Sequence, residues 1–238
     1  MVLFMTKTLE DNKSLIQYLE FDNTNVYVVG DIHGCYSLLM SNLNNLNFDF
    51  SKDILISVGD LVDRGSENLP CLTLLDEPWF YMIRGNHEQM CITSSYDRMM
   101  RDVHYRNGGQ WFYEIPSSLQ ENIRSRFSKI PIVIELLLNK KKYGFVHADI
   151  EINNWELFKI DILKGDYKIA GVRSSIKSAL WGRNRIKKYD PNLYDYVEGI
   201  DQIFLGHTIL KDPIHLDNCT YIDTGAFWTN TLTIIKLT

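Results

Sequence analysis

Five short apolar runs, at 26–29, 54–58, 80–83, 143–146 and 203–205, punctuate the chain, each rich in β-branched, aromatic and aliphatic residues. They are unbroken rather than alternating, as strands covered on both faces are. Apolar residues recur at helical spacing over 13–19, 36–46, 69–75, 89–100 and 118–129, which predicts helices there. Pro131 ends the last of these, and 132–138, 139–142 and 143–146 then read as strand, turn, strand. The tail alternates over 219–224 and 232–237, which predicts a closing antiparallel pair. The stretch 151–179 is the most weakly patterned. Strands interleaved with helices in this way define an α/β fold.

Each apolar run stops at side chains able to bind a cation. The order is Gly30-Asp31-Ile32-His33-Gly34, then Gly59-Asp60-Leu61-Val62-Asp63-Arg64-Gly65, then Gly85-Asn86-His87-Glu88, then His147, then Gly206-His207. Open α/β sheets place ligands at the carboxyl ends of their strands. Gly30, Gly59, Gly85 and Gly206 each precede a candidate ligand, where the backbone must turn and let a bulky complex approach. Alone, an Asp after such a glycine is most often a helix cap, and a lone His near a strand end a structural one. Five together point to two-metal phosphoester hydrolysis. Oxygen and imidazole donors in mixture suit Mn, Fe or Zn better than Ca or Mg.

The motifs GDIHG, GDLVDRG and GNHEQM resemble those of the phosphoprotein phosphatases within the calcineurin-like metallophosphoesterases. VHAD at 146–149, IFLGHT at 203–208 and YIDTGA at 221–226 extend the likeness to small bacterial and phage serine/threonine phosphatases, from about residue 25 to the end. The resemblance implies two mixed β-sheets packed as a sandwich, flanked by helices, around a βαβαβ metal-binding scaffold. It thins over 151–180, which reads as a variable insertion, and does not reach 1–24, which reads as an N-terminal extension.

It also implies roles. Asp31 and His33 would hold one divalent ion, Asn86, His147 and His207 the other, and Asp60 would bridge them; a metal-bridging hydroxide would attack phosphorus in line. His87 would be the general acid for the departing alkoxide, with Asp63 orienting it. Arg64 would grip the phosphoryl oxygens. Arg183, matched through Trp181-Gly182-Arg183, would be the second phosphate-binding arginine, with Arg173 and Arg185 as competitors for that place. Arg84, Glu88 and Asp223 would orient ligands. The expected activity is a metal-dependent serine/threonine protein phosphatase, with a symmetrical dinucleotide polyphosphate hydrolase on the same dinuclear site as the alternative.

Composition narrows the remaining possibilities. With 238 residues, 45% of them hydrophobic, and no Pro/Gly/Ser linker, the chain fits a single domain over 1–238. A net charge of -5 offers no basic stripe for nucleic acid, and no apolar stretch has the length of a membrane span. The resemblance implies phosphorylated proteins or peptides as partners, and composition adds neither nucleic acid nor membrane, for a cytoplasmic monomer. Cys35, Cys71, Cys91 and Cys219 lack C-x-x-C spacing, which favours small apolar roles in a reducing compartment. A cysteine phosphatase needs an arginine after five intervening residues, but six separate Cys91 from Arg98; no P-loop occurs either.

Overall fold

The two faces of each unbroken apolar strand are buried against different layers, which is why neither face could be polar. The protein, described here by a computed structural model covering residues 15–164, 175–187 and 196–238, begins with β1 (Ile16–Phe21), β2 (Val26–Val29), α1 (Tyr36–Asn45), β3 (Ile54–Ser57), α2 (Asn68–Thr73), β4 (Phe80–Met82) and α3 (Asn86–Thr93). A helical arch follows: α4 (Arg98–His104), a π-type turn at Tyr105–Gly109 that is in fact a kink with non-helical backbone at Asn107 and Gly108, and α5 (Gln110–Glu114). Then come α6 (Ser117–Ser128), the hairpin of β5 (Val133–Leu138) and β6 (Lys141–Val146), α7 (Trp155–Lys164), α8 (Ser175–Trp181) and α9 (Asn184–Lys187). The chain closes with β7 (Gln202–Leu205), β8 (Ile214–Leu216), β9 (Cys219–Tyr221), α10 (Ala226–Thr229) and β10 (Ile234–Lys236).

These strands form a four-stranded sheet in the order β10-β2-β3-β4 and a six-stranded sheet in the order β1-β5-β6-β7-β9-β8. Both are mixed: β2, β3 and β4 run parallel while β10 is antiparallel to β2, and β5 is antiparallel to β6 while β6, β7 and β9 run parallel. Side chains alternate between faces. Val26, Val28, Ile54 and Ile56 point inward and meet Ile134, Leu136, Phe145 and Phe204 of the other sheet. Tyr27, Val29, Leu55 and Phe80 point outward and are covered by Leu39 and Leu43 of α1 and Ile123 and Phe127 of α6. On the opposite outer face, Val133, Ile203 and Tyr221 lie under Trp155, Phe158 and Ile162 of α7 and Ile176, Ala179 and Leu180 of α8. The result is the expected helix-flanked double sheet.

Four local expectations are corrected. Residues 16–21 are not part of a helix but the edge strand β1, parallel to β5 with Ile16 opposite Val133. Backbone pairing with a strand over a hundred residues away overrides the local spacing there, and it ties part of the supposed N-terminal extension into the sheet. The segment 89–100 is two helices, because Asp97 caps the second by accepting the Met100 N–H at 3.1 Å. The hairpin turn is tighter than expected, with Lys141 and Lys142 already in β6. The two tail strands do not pair with each other: β9 lies between β7 and β8, and β10 lies beside β2 in the other sheet. Alternation marks a strand and says nothing of its neighbour. Among the described residues no helix is long and apolar enough to cross a membrane.

Candidate metal centre

The candidate ligands stand where the parallel strands of both sheets end. Asp31 and His33 follow β2, Asp60 follows β3, and Asn86 opens α3 after β4; His147 follows β6 and His207 follows β7. The site therefore straddles the seam between the sheets. His33, Asp60, Asp63, Arg64 and His207 all have positive φ, from 44° to 74°. That backbone region costs a non-glycine residue about 1–3 kcal/mol and survives where surrounding structure enforces it. Close packing of these turns explains two of the glycines: a Cβ on Gly85 would collide with the Asp60 carboxylate, and one on Gly206 with that of Asp31.

Asp60 is the centre of the arrangement. Its Oδ2 lies 3.4 Å from His33 Nε2, 3.4 Å from His147 Nε2 and 3.9 Å from His87 Nε2. Donor atoms of His33, Asp60 and His87 lie within 4.8 Å of one another, as do those of Asp60, His147 and His207, so two clusters share one carboxylate. Asn86 joins the second, its Oδ1 being 2.9 Å from His147 Nε2 and 2.8 Å from His207 Nδ1. Asp31 is buried nearby, accepts the His207 backbone N–H at 3.0 Å, and thereby links the two sheets.

The hydrogen bonding fits bound cations. His147 Nδ1 lies 2.7 Å from the Val58 carbonyl, which can only accept, so the proton is on Nδ1. Nε2 then faces two more oxygens, Asn86 Oδ1 and Asp60 Oδ2, and against the effect of burial the Asp60 charge raises the His147 pKa. His33 also has Nδ1 against a carbonyl, that of Val62 at 2.9 Å, and its Nε2 lies between Asp60 and the Arg64 guanidinium. Around His147 Nε2 the converging oxygens call for a positive charge, a proton or a cation. Burial, reinforced by the neighbouring His87, drives the His33 pKa down to about 3, and burial with His147 nearby drives His207 to about 2, so both rings keep their lone pairs at neutral pH. Burial, with Asp223 and Asp60 close by, pushes the Asp31 carboxyl well above the usual range; a cation would reverse that. Together with the family established below, this donor set implies divalent metal ions.

Glu88 organises the turns from beneath. Its carboxylate accepts the backbone N–H groups of Asp60 (3.1 Å), Leu61 (2.9 Å) and Gly85 (2.8 Å). Burial and the charge of Asp60 raise its pKa to about 7. Arg84 points away from the centre, bonding the Ser128 and Ile130 carbonyls and Gln89, and fastens the loop before β5. Asp223 accepts the Gly225 N–H at 2.8 Å with one oxygen while its other, buried oxygen has no hydrogen-bond partner.

Asp63 makes a second, different centre. His87 Nδ1 lies 2.7 Å from its Oδ2, His104 Nε2 3.0 Å from the same oxygen, and Trp111 Nε1 donates to Oδ1 at 2.8 Å. His87 is thus turned with its Nε2 toward the shared carboxylate and with no partner for that nitrogen. Arg64 sits at the first cluster, Nη1 3.0 Å from His33 Nε2, its guanidinium over the Phe227 ring at 5.0 Å. Arg183 flanks the second cluster, bonding the His207 carbonyl at 3.4 Å. Arg185 is buried elsewhere, donating to the Ile150 carbonyl at 3.1 Å and to Asn153. Arg173 lies outside the described residues.

Sequence reasoning passed over His104, Trp111 and Phe227. The first two lie in the arch, where nothing in the local spacing pointed to Asp63. Cys91 is buried in α3, where burial and then Asp63 hold its thiol pKa well above the usual value, the opposite of what a cysteine nucleophile needs. All four cysteines are free thiols.

Comparison with known proteins agrees with this geometry. The calcineurin-like phosphoesterase family matches residues 24–210, and the chain belongs to that family. Serine/threonine-protein phosphatase 2 of Salmonella typhimurium is 35% identical, over 94% of this chain and 99% of its own length. A symmetrical bis(5'-nucleosyl)-tetraphosphatase of Actinobacillus pleuropneumoniae is 31% identical over 55% of this chain and 47% of its own. A solved protein serine/threonine phosphatase from Saccharomyces cerevisiae shares the fold, with a TM-score of 0.62 at 17% identity, over 88% of this chain and 71% of that one.

Proposed function

We propose that this chain is a metal-dependent serine/threonine protein phosphatase that hydrolyses phosphomonoesters on proteins. The observation that carries the reading is the single buried carboxylate, Asp60, shared by two clusters of metal-binding side chains, with Arg64 beside the first. Asp31 and His33 with Asp60 would hold one divalent ion, and Asn86, His147 and His207 with Asp60 the other. Bound there, the ions would supply a nucleophile from water near neutral pH and Lewis-acid neutralisation of the phosphoryl oxygens. Manganese suits the oxygen and imidazole donors best, with iron or zinc as alternatives.

The remaining work falls to side chains. Arg64 and Arg183, one beside each cluster, orient the phosphoryl group and offset the charge that builds on it. His87 Nε2 donates a proton to the departing serine or threonine alkoxide, and Asp63 holds the ring for that transfer. A near full-length likeness to a relative named for serine/threonine phosphatase activity supports this class over dinucleotide hydrolysis, where the likeness spans about half of each chain. The four free thiols suit a cytoplasmic setting, and a monomer needs no partner to complete the site.

The test is a panel of phosphoserine, phosphothreonine and phosphotyrosine peptides and diadenosine tetraphosphate, assayed after chelation and again with manganese, iron, zinc or magnesium restored. Phosphoserine and phosphothreonine peptides should be turned over fastest, and manganese should restore the most activity. Faster turnover of the dinucleotide, or full activity in protein shown by elemental analysis to be metal-free, would overturn the assignment.

A further inference from the structure

The proton-donor reading of His87 leaves unexplained why Asp63, which needs only one oxygen for that ring, is also bound by two side chains from a separate part of the chain. Both lie in the arch of α4, the π-type turn and α5, outside every motif identified in the sequence. Their chemistry fixes the direction of the bonds to Asp63. The Asp63 carboxylate only accepts, so His104 carries a proton on Nε2, while its Nδ1 lies 2.9 Å from the Tyr113 hydroxyl. Trp111 can only donate, and it occupies the other oxygen. The His104 ring is wedged between Phe112 and Tyr113, with centroids at 5.7 and 5.5 Å, and is fully buried.

The arch is seated on the Asp63 turn by adjacent glycines. The Gly108 carbonyl accepts the Arg64 N–H at 3.3 Å, and a Cβ on Gly108 would stand 2.5 Å from that same nitrogen. A Cβ on Gly109 would stand 2.5 Å from the His104 ring. Gly108 also has φ of +103°, which a side chain would resist. The kink at Asn107 and Gly108, where the backbone leaves helical geometry, brings His104 and Trp111 onto one carboxylate.

We propose that His104 and Trp111 are positioning residues for proton donation: they clamp both oxygens of Asp63 and, through it, hold the His87 ring with Nε2 directed at the leaving-group oxygen. This rests on the reading of His87 as the proton donor. In the step concerned, an oxygen from water bonds to phosphorus as the bond between phosphorus and the leaving oxygen breaks, the electron pair of that bond stays on the leaving oxygen, and the Nε2 proton of His87 moves to it. The alcohol departs and His87 is left neutral, still bonded to Asp63 through Nδ1. A carboxylate held only by His87 would be free to rotate and would carry the ring with it. Groups that orient a functional side chain from behind in this way are worth about 10- to 100-fold.

The experiment compares a phosphoserine peptide with p-nitrophenyl phosphate, whose leaving group departs without a proton, in the metal-loaded protein. His104→Leu and Trp111→Phe should each lower kcat on the peptide about 10-fold or more, with KM and metal content unchanged and little loss on p-nitrophenyl phosphate. His104→Gln, whose amide N–H can replace the Nε2 donor, should recover most of the rate. Tyr113→Phe, which removes only a hydroxyl and keeps the packing, supplies a mild variant should the larger changes impair folding; it should show the same substrate dependence in smaller measure. His87→Asn is the control. If it shows the dependence and none of the arch variants does, or if these lose equally on both substrates, the positioning role is refuted while the proton donor stands. If His87→Asn itself loses equally on both substrates, the proton-donor reading fails and the positioning role falls with it.

Discussion

Asp60 and Asp63 are three residues apart, both buried and both in left-handed backbone, yet they are furnished in opposite ways. Around Asp60 Oδ2 the protein places imidazole nitrogens at 3.4 to 3.9 Å, too far for good hydrogen bonds. Around Asp63 it places three nitrogen groups at 2.7 to 3.0 Å. Burial alone would raise both pKa values. Bonds from His104 and His87 overcome that for Asp63 and hold it well below the ordinary carboxylate range. The lesson is that a buried charge can be compensated by the protein or held ready for something that is not protein. The spacing of its neighbours tells which.

The strongest way to break this contrast is to neutralise each carboxylate in turn. Asp60→Asn should lower activity by several orders of magnitude and reduce bound metal at both clusters, as expected when a bridging charge worth several kcal/mol is removed. Asp63→Asn should keep both metals and lose roughly 10²-fold on phosphoserine, at the low end of general acid effects. Elemental analysis beside the kinetics separates the two. Equal metal content in the two variants would erase the distinction.

The same criterion separates two arginines. Arg183 makes one long bond and stays half-exposed, whereas Arg185 is buried and saturated by protein acceptors. Arg183→Ala should cost about 10- to 100-fold in kcat/KM, or 1.4–2.8 kcal/mol, with melting temperature nearly unchanged. Arg185→Ala should leave the rate per folded molecule near normal and cost about 1–3 kcal/mol of stability in denaturant titration, because buried acceptors lose their donor. The smallest effect is expected from Phe227→Leu, which removes the ring beneath Arg64. A cation over an aromatic face is worth about 0.5–1 kcal/mol at an exposed site, so KM should rise about two- to five-fold while bound metal is unchanged.

Much of the Asp60 side could be read from the sequence, and little of the Asp63 side could. Asp31, His33, Asp60, Asn86, His147 and His207 follow apolar runs whose doubly buried strands leave a local trace, and the chain's own order brings them to one edge. His104 and Trp111 reach Asp63 from 41 and 48 residues away, across a turn whose geometry depends on how Gly108 and Gly109 meet another segment. Nothing in the spacing of 98–114 encodes that meeting. β1 and β10 were misjudged for the same reason, since strand partners are settled by the assembled sheet. Trp155, Phe158 and Ile162 show the opposite case: their helical spacing was present in a stretch that looked poorly patterned beside stronger neighbours.

The position of the centre on the seam has a thermodynamic side. Asp31, Asp60 and Asn86 belong to one sheet's strand ends and His147 and His207 to the other's, and between the sheets themselves lies an interface of aliphatic and aromatic side chains. An ion held by both groups is a removable cross-link, favouring the docked arrangement by RT ln(1 + [ion]/Kd), about 2.7 kcal/mol when the ion is at a hundred times its dissociation constant. Metal supply would then govern how long the chain survives as a folded molecule, so that starvation for the ion would deplete the protein as well as silence it.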